Sequence, residues 1–208
     1  MDILLHPTYF PSISQFVAMA QADTITFEVA DNFQKQTNRN RMYIYSANGL
    51  QLLNIPVKHA LEHHQKFKDV RIEYAFNWQK QHLKSLEASY RTSPYFEYFE
   101  DDIRPIFEKK QVFMLDLNFQ IHEILTDCLG MPLPYAQTTE YIKKPEQLLD
   151  LRSLADGKKD RAAFDPYVQV FDEKYGFINN LSILDLLFNE GRHAVDYLKK
   201  QTLLIEDS

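Results

Sequence analysis

The apolar run Ile3-Leu4-Leu5 leads into His6-Pro7-Thr8-Tyr9-Phe10-Pro11, and a second run rich in β-formers, Thr24 to Val29, follows soon after. Between them Ile13, Phe16, Val17 and Ala20 recur at the spacing of one helix face. Pro11 suits the approach to a helix start, and Ser12 can help cap it. Strand, loop, helix and strand in so short a stretch leave few arrangements open. The second strand returns beside the first and parallel to it, as a right-handed βαβ unit. The expectation is an α/β fold with a mainly parallel sheet. In such sheets the loop after the first strand lies on the ligand-binding edge. The feature that sets the fold class therefore also marks a site.

Downstream, a polar segment from Asp31 to Arg41 precedes Met42–Tyr45 and Leu50–Ile55, which flank Asn48-Gly49, the strongest short hairpin signal. The pattern then turns helical from Gln79 to about Gly130. Trp78, His82 and Leu86 form an i, i+4 seam, and Ser93-Pro94 breaks the first helix. A second helix is expected over Tyr95–Lys109 despite Pro105, and a third over Gln111–Leu129, ending at Gly130 before Pro132 and Pro134. Leu151 to Pro166, with Ala155-Asp156-Gly157-Lys158-Lys159-Asp160, reads as an exposed loop. A last helix begins at Ser182 with Asp185 as capping-box partner, stops near Gly191 and is followed by a final turn or helix to about Leu198. Glu206, Asp207 and Ser208 are expected to fray. The helical middle and C-terminal segments complete one expected domain over residues 1–208.

Net charge is −6, which argues against nucleic acid as the partner. The one cysteine, Cys128, excludes an internal disulfide and suits a reducing compartment. No apolar run approaches the roughly 20 residues of a membrane span, and no signal peptide is readable. The expected setting is cytoplasmic, with no membrane insertion. Five glycines cannot spell a dinucleotide fingerprint, a Walker loop or a nucleophile elbow. Common dehydrogenases, P-loop enzymes and α/β-hydrolases are disfavoured.

Three constellations carry chemistry. His6 changes charge near neutral pH and suits an acid, a base or a phosphate donor, with Tyr9 adding a phenolic hydroxyl; the plainer alternative is a loop that only tucks both rings away. In Asn38-Arg39-Asn40-Arg41, an extended backbone puts both arginines on one face and both amides on the other. Guanidinium forks suit a phosphate or carboxylate and the amides suit hydroxyls, although a solvated strand entry has the same composition. His82 is either a third catalytic group or a hydrogen-bonded core histidine. His59 and His63, with Glu62 and His64 beside them, give only a weak metal signal, and no metal site is assigned. Cys128 reads as packed and inert.

The chain resembles the WbqC-like family, small bacterial proteins of surface-polysaccharide gene clusters. The resemblance rests on His6-Pro7-x-Tyr9-Phe10-Pro11, Ala22-Asp23, Asn38-Arg39-Asn40-Arg41 and Leu53-x-Ile55-Pro56-Val57. It continues through Trp78-x3-His82, Tyr90-x2-Ser93-Pro94-Tyr95-Phe96 and Asn180-Leu181-Ser182-Ile183-Leu184-Asp185-Leu186-Leu187-Phe188-Asn189-x-Gly191. It implies a transferase, linked to an amino acid such as glycine or to a sugar nucleotide, in surface-polysaccharide biosynthesis. On that view His6, Tyr9 and His82 are catalytic, while Asn38, Arg39, Asn40 and Arg41 bind an anionic small molecule bearing a phosphate or carboxylate. No cofactor is assigned. The order of strand, histidine loop and helix is also similar to nucleotidylyltransferases, at the level of fold only. The alternative is a non-catalytic binding or scaffold protein for an envelope enzyme, docking through Tyr95-Phe96-Glu97-Tyr98-Phe99.

Overall fold

The computed structural model describes residues 1–58 and 65–203. Strand β1 (Asp2–Leu5), helix α1 (Ile13–Ala20) and strand β2 (Thr24–Phe27) form the expected unit, with β1 and β2 parallel and Ile3 opposite Ile25. Two short strands unread in the sequence complete the sheet: β5 (Tyr135–Gln137) beside β2 and β6 (Leu149–Asp150) beside β1, both parallel. The order is β5-β2-β1-β6. The chain thus departs from β1 to one side and returns on the other, so the topological switch falls between β1 and β6. A crevice opens outside the carboxyl ends of such strands. His6 follows β1, Glu28 follows β2 and Arg152 follows β6 on that edge.

The hairpin of β3 (Arg41–Ser46) and β4 (Gly49–Asn54) forms a separate two-stranded sheet turning at Ala47-Asn48, with Gly49 at φ 92°. Helices α2 (Trp78–Tyr90), α3 (Phe96–Glu108) and α4 (Met114–Leu129) follow, with Gly130 in the left-handed region as the α4 cap. A one-turn helix α5 (Asp172–Tyr175) precedes α6 (Ile183–Glu190) and α7 (Ala194–Lys200). Ile183, Leu184, Leu186, Leu187 and Phe188 are all buried, because α6 is enclosed by α1, α3, α7 and β3. A helix whose apolar residues spread beyond one face belongs inside the core.

Three local expectations change. The 151–166 stretch is not simply an exposed loop, since Leu151, Leu154, Ala155, Ala162 and Phe164 are buried and anchor it. Asp185 makes no capping box. Its carboxylate accepts hydrogen bonds from the Tyr90 and Tyr167 hydroxyls and from Gln169 Nε2. Ser12 is the N-cap residue of α1, yet its side chain makes no cap bond; Leu181 O and Asn180 Oδ1 accept from Ile13 N and Ser14 N instead. Among the described residues, no helix is long and apolar enough to cross a membrane. His59, Glu62, His63 and His64, and the terminal Glu206, Asp207 and Ser208, lie outside the described residues.

Candidate functional site

The seven residues singled out in the sequence separate into two buried groups and one cavity. In the first group His6 is 4% exposed, with Nδ1 3.4 Å from Glu28 O and Nε2 3.4 Å from Asp31 Oδ2. Arg39 Nη2 donates to the same Asp31 oxygen at 3.2 Å, and Nη1 donates to Thr37 Oγ1. Burial, then the Arg39 charge, lowers His6 to about 3, so its ring is neutral at pH 7. Burial also lowers Arg39, to about 10, against the pull of Asp31. Arg39 is 1% exposed and its Nε has no partner among the described residues.

In the second group the Tyr9 hydroxyl lies 2.9 Å from His82 Nδ1, within the rings of Phe10 and Trp78. Burial raises the Tyr9 hydroxyl well above its ordinary value and lowers His82 to about 4. Both are uncharged at neutral pH. Asn40 also looks inward, its Nδ2 donating to Ile55 O at 2.8 Å and to Asn54 Oδ1 at 3.1 Å.

Arg41 and Asn38 are placed differently. They line a cavity of about 320 Å³ bounded by the loop after β1, the β3–β4 hairpin, the segment after β6 and the residues leading into α6; His6, Glu28 and Arg152, at the carboxyl ends of the parallel strands, do not line it. Asn38 is 7% exposed, and its amide makes no side-chain hydrogen bond among the described residues. Its backbone is fixed on both sides, because Asn38 N donates to Ala155 O at 2.7 Å and Asn38 O accepts from Tyr9 N at 2.9 Å. Gly157 lies over the amide, where a Cβ would sit 3.4 Å from Asn38 Oδ1. Arg41 Nε donates to Asn54 Oδ1 at 3.3 Å, and no carboxylate pairs with the guanidinium among the described residues. His6, Tyr9, His82, Arg39 and Asn40 do not line this cavity.

The extended backbone imagined for 38–41 is absent. Residues 35–40 form turns and the strand begins only at Arg41, so Arg39 and Arg41 point to different surroundings instead of sharing a face. Asn118 helps hold this turn by donating from Nδ2 to Pro7 O and Arg39 O.

Sequence reasoning did not single out the opposite wall. Ser14 Oγ donates to Asp160 Oδ2, which Asn180 Nδ2 also reaches at 2.7 Å, and Ser12 Oγ lies 2.9 Å from Ser14 Oγ. A hydroxyl on the cavity is thereby linked to a carboxylate beside the α1 N-terminus. Phe10 and Asn180 both line the cavity and both have positive φ, 40° and 54°. Strained backbone of this kind costs about 1–3 kcal/mol per residue and gathers at functional sites. In the 95–99 segment Phe96 and Phe99 are buried, and Tyr98 is the exposed aromatic.

The sequence model of the WbqC-like protein family matches residues 6–161, which include His6, Asn38, Arg41 and Asp160. The chain is also similar to the uncharacterized protein Rv1507c of Mycobacterium tuberculosis. That protein is 26% identical over 226 aligned residues, spanning 94% of this chain and 96% of the relative. No solved structure matches.

Proposed function

The chain belongs to the WbqC-like protein family, and from that premise we propose that it is a transferase that holds an anionic substrate group on Arg41 and Asn38. The setting implied by the family resemblance is surface-polysaccharide biosynthesis, with a transfer linked to an amino acid or a sugar nucleotide. One observation carries the reading: Arg41 faces a cavity with no carboxylate partner among the described residues, beside an unpartnered and nearly buried amide. A guanidinium fork and an amide suit a phosphate or carboxylate and a neighbouring hydroxyl. Such donors, fixed before the reaction, also stabilise charge that develops during group transfer.

In this reading the other candidates are positioning residues. His6, Asp31 and Arg39 fix the loop after β1 against the turn before β3, while Tyr9 and His82 fix its far end. The alternative docking surface at 95–99 is weakened, since two of its four aromatic rings, Phe96 and Phe99, are buried.

The test is a thermal-shift screen of wild type and Arg41→Ala against inorganic phosphate, nucleotides, nucleotide sugars, coenzyme A esters and amino acids. A saturable shift of several degrees in wild type and none in the variant is expected. An equal shift in both proteins removes Arg41 from the site, and no shift with any compound overturns the reading.

A further inference from the structure

Two opposite charges line the same cavity, and neither has a counter-charge among the described residues. Arg41 Nε donates to Asn54 Oδ1 at 3.3 Å, while its two terminal nitrogens have no partner there. Asp160 also lines the cavity. Its Oδ2 accepts from Ser14 Oγ and, at 2.7 Å, from Asn180 Nδ2, and its Oδ1 accepts from Ala162 N at 3.1 Å. A carboxylate has roughly four acceptor sites, so Oδ1 keeps one free. The basic neighbours in its own segment do not neutralise Asp160. Lys159 Nζ lies 3.6 Å from Asp156 Oδ2 instead, and neither Lys158 nor Arg161 pairs with Asp160 among the described residues.

Arg41 and Asp160 do not neutralise each other either, since they form no ion pair and each is tethered to its own element. Arg41 is held in the β3–β4 ladder opposite Asn54, and Asp160 is tied to α1 through Ser14 and to the approach to α6 through Asn180. Phe10, Met42, Leu50 and Leu181 supply apolar lining, beside which charges interact more strongly than in open water. A ligand with one anionic group meets Arg41 but leaves Asp160 uncompensated, and a second anionic group is repelled by it. A neutral hydroxyl fills the free site on Oδ1 without balancing the charge. An ammonium does both. A cavity of about 320 Å³ is at the small end of the range for organic ligands, so both charges belong to one small molecule or to one end of a larger one.

We propose that the group bound in this cavity is zwitterionic, with its carboxylate or phosphate on Arg41 and the Asn38 amide and its ammonium on Asp160. This rests on the anion-binding reading above and adds Asp160 as a second binding residue, which selects for charge of the opposite sign.

The experiment is an NMR titration of the full chain at pH 7 and constant ionic strength with amines and their hydroxyl analogues. The pairs are glycine and glycolate, β-alanine and 3-hydroxypropionate, and phosphoethanolamine and 2-hydroxyethyl phosphate. Wild type is compared with Arg41→Ala, with Asp160→Asn, and with Asp196→Asn as a control that removes one exposed negative charge on α7. In at least one pair the amine should bind wild type about fivefold tighter than its analogue, the worth of one partly exposed ion pair. A gap in the carboxylates assigns an amino acid, and a gap in the phosphates assigns an amino-alcohol phosphate. The gap should vanish in Asp160→Asn and persist in Asp196→Asn. Analogues that bind as tightly as the amines, with both lost in Arg41→Ala, overturn the zwitterion while leaving the anion site in place. A gap that survives Asp160→Asn, or is lost equally in the control, also overturns it. Absence of binding by every compound overturns both readings. The comparison of each pair on wild type decides the matter even where Asp160→Asn fails to fold.

Discussion

Arg39 and Arg41 are two residues apart and have opposite fates, which the local sequence does not reveal. Arg39 is buried because Asp31 lies within 3.2 Å and Phe67 lies under its guanidinium at 5.8 Å, a partner far along the chain. Arg41 begins a strand beside a cavity. The cluster was readable as polar and cationic; which member lines the cavity was not, because that depends on a turn and on non-local contacts. Asp31→Asn should therefore leave a buried guanidinium uncompensated and destabilise the fold by about 3–5 kcal/mol in denaturant unfolding. Arg41→Ala should change stability by only about 0.5 kcal/mol. The two histidines set a pH dependence. Their folded values of about 3 for His6 and about 4 for His82 lie below the ordinary 6.5, so the unfolded chain binds more protons between these limits. Their contribution is complete above pH 6.5 and is lost as pH falls toward 3. Stability should drop by a few kcal/mol, to order of magnitude, between pH 7 and pH 4.5, with part of the slope removed in His6→Gln. A flat profile contradicts the burial of neutral rings.

At the scale of elements, the long periodic pieces were legible and the short ones were not. The α1 face, the Asn48-Gly49 hairpin and the α4 stop at Gly130 follow from spacing and turn chemistry. Strands β5 and β6 have three and two residues, too few to show a period, and are strands only because β2 and β1 offer unpaired edges. The α6 end shows a stricter rule. Gly191 has φ 59°, and a Cβ there would meet the Tyr95 ring at 2.8 Å, so both backbone and neighbour exclude a side chain. Gly191→Ala should cost several kcal/mol, on the order of an overpacked core site. Gly49→Ala, also at positive φ but with nothing within 4 Å, should cost about 1 kcal/mol. Equal melting temperatures for the two variants are the contrary result.

Across the whole molecule, the site is made by convergence. The cavity draws on the loop after β1, the turn before β3, the segment after β6 and the residues leading into α6. Backbone bonds lock these pieces together: Ser182 N to Tyr43 O, Ile183 N to Pro11 O and Tyr9 N to Asn38 O. The sequence marked the first two pieces through histidine, proline and arginine. It marked the others only as a loop and a helix start, because a wall has no signature until its opposite side is known. The same closure gives the molecule a chemical clock. Cys128, at the end of α4, is 5% exposed, and burial followed by Asp102 and Asp127 pushes its thiol up to about 12. The chain therefore presents almost no thiolate while folded and an ordinary one when α4 opens. Iodoacetamide labelling at pH 7.5, followed by mass spectrometry, should be slow in the native protein and accelerate with denaturant in step with unfolding. The rate of alkylation then reads the opening of the core with no dye, mutation or substrate.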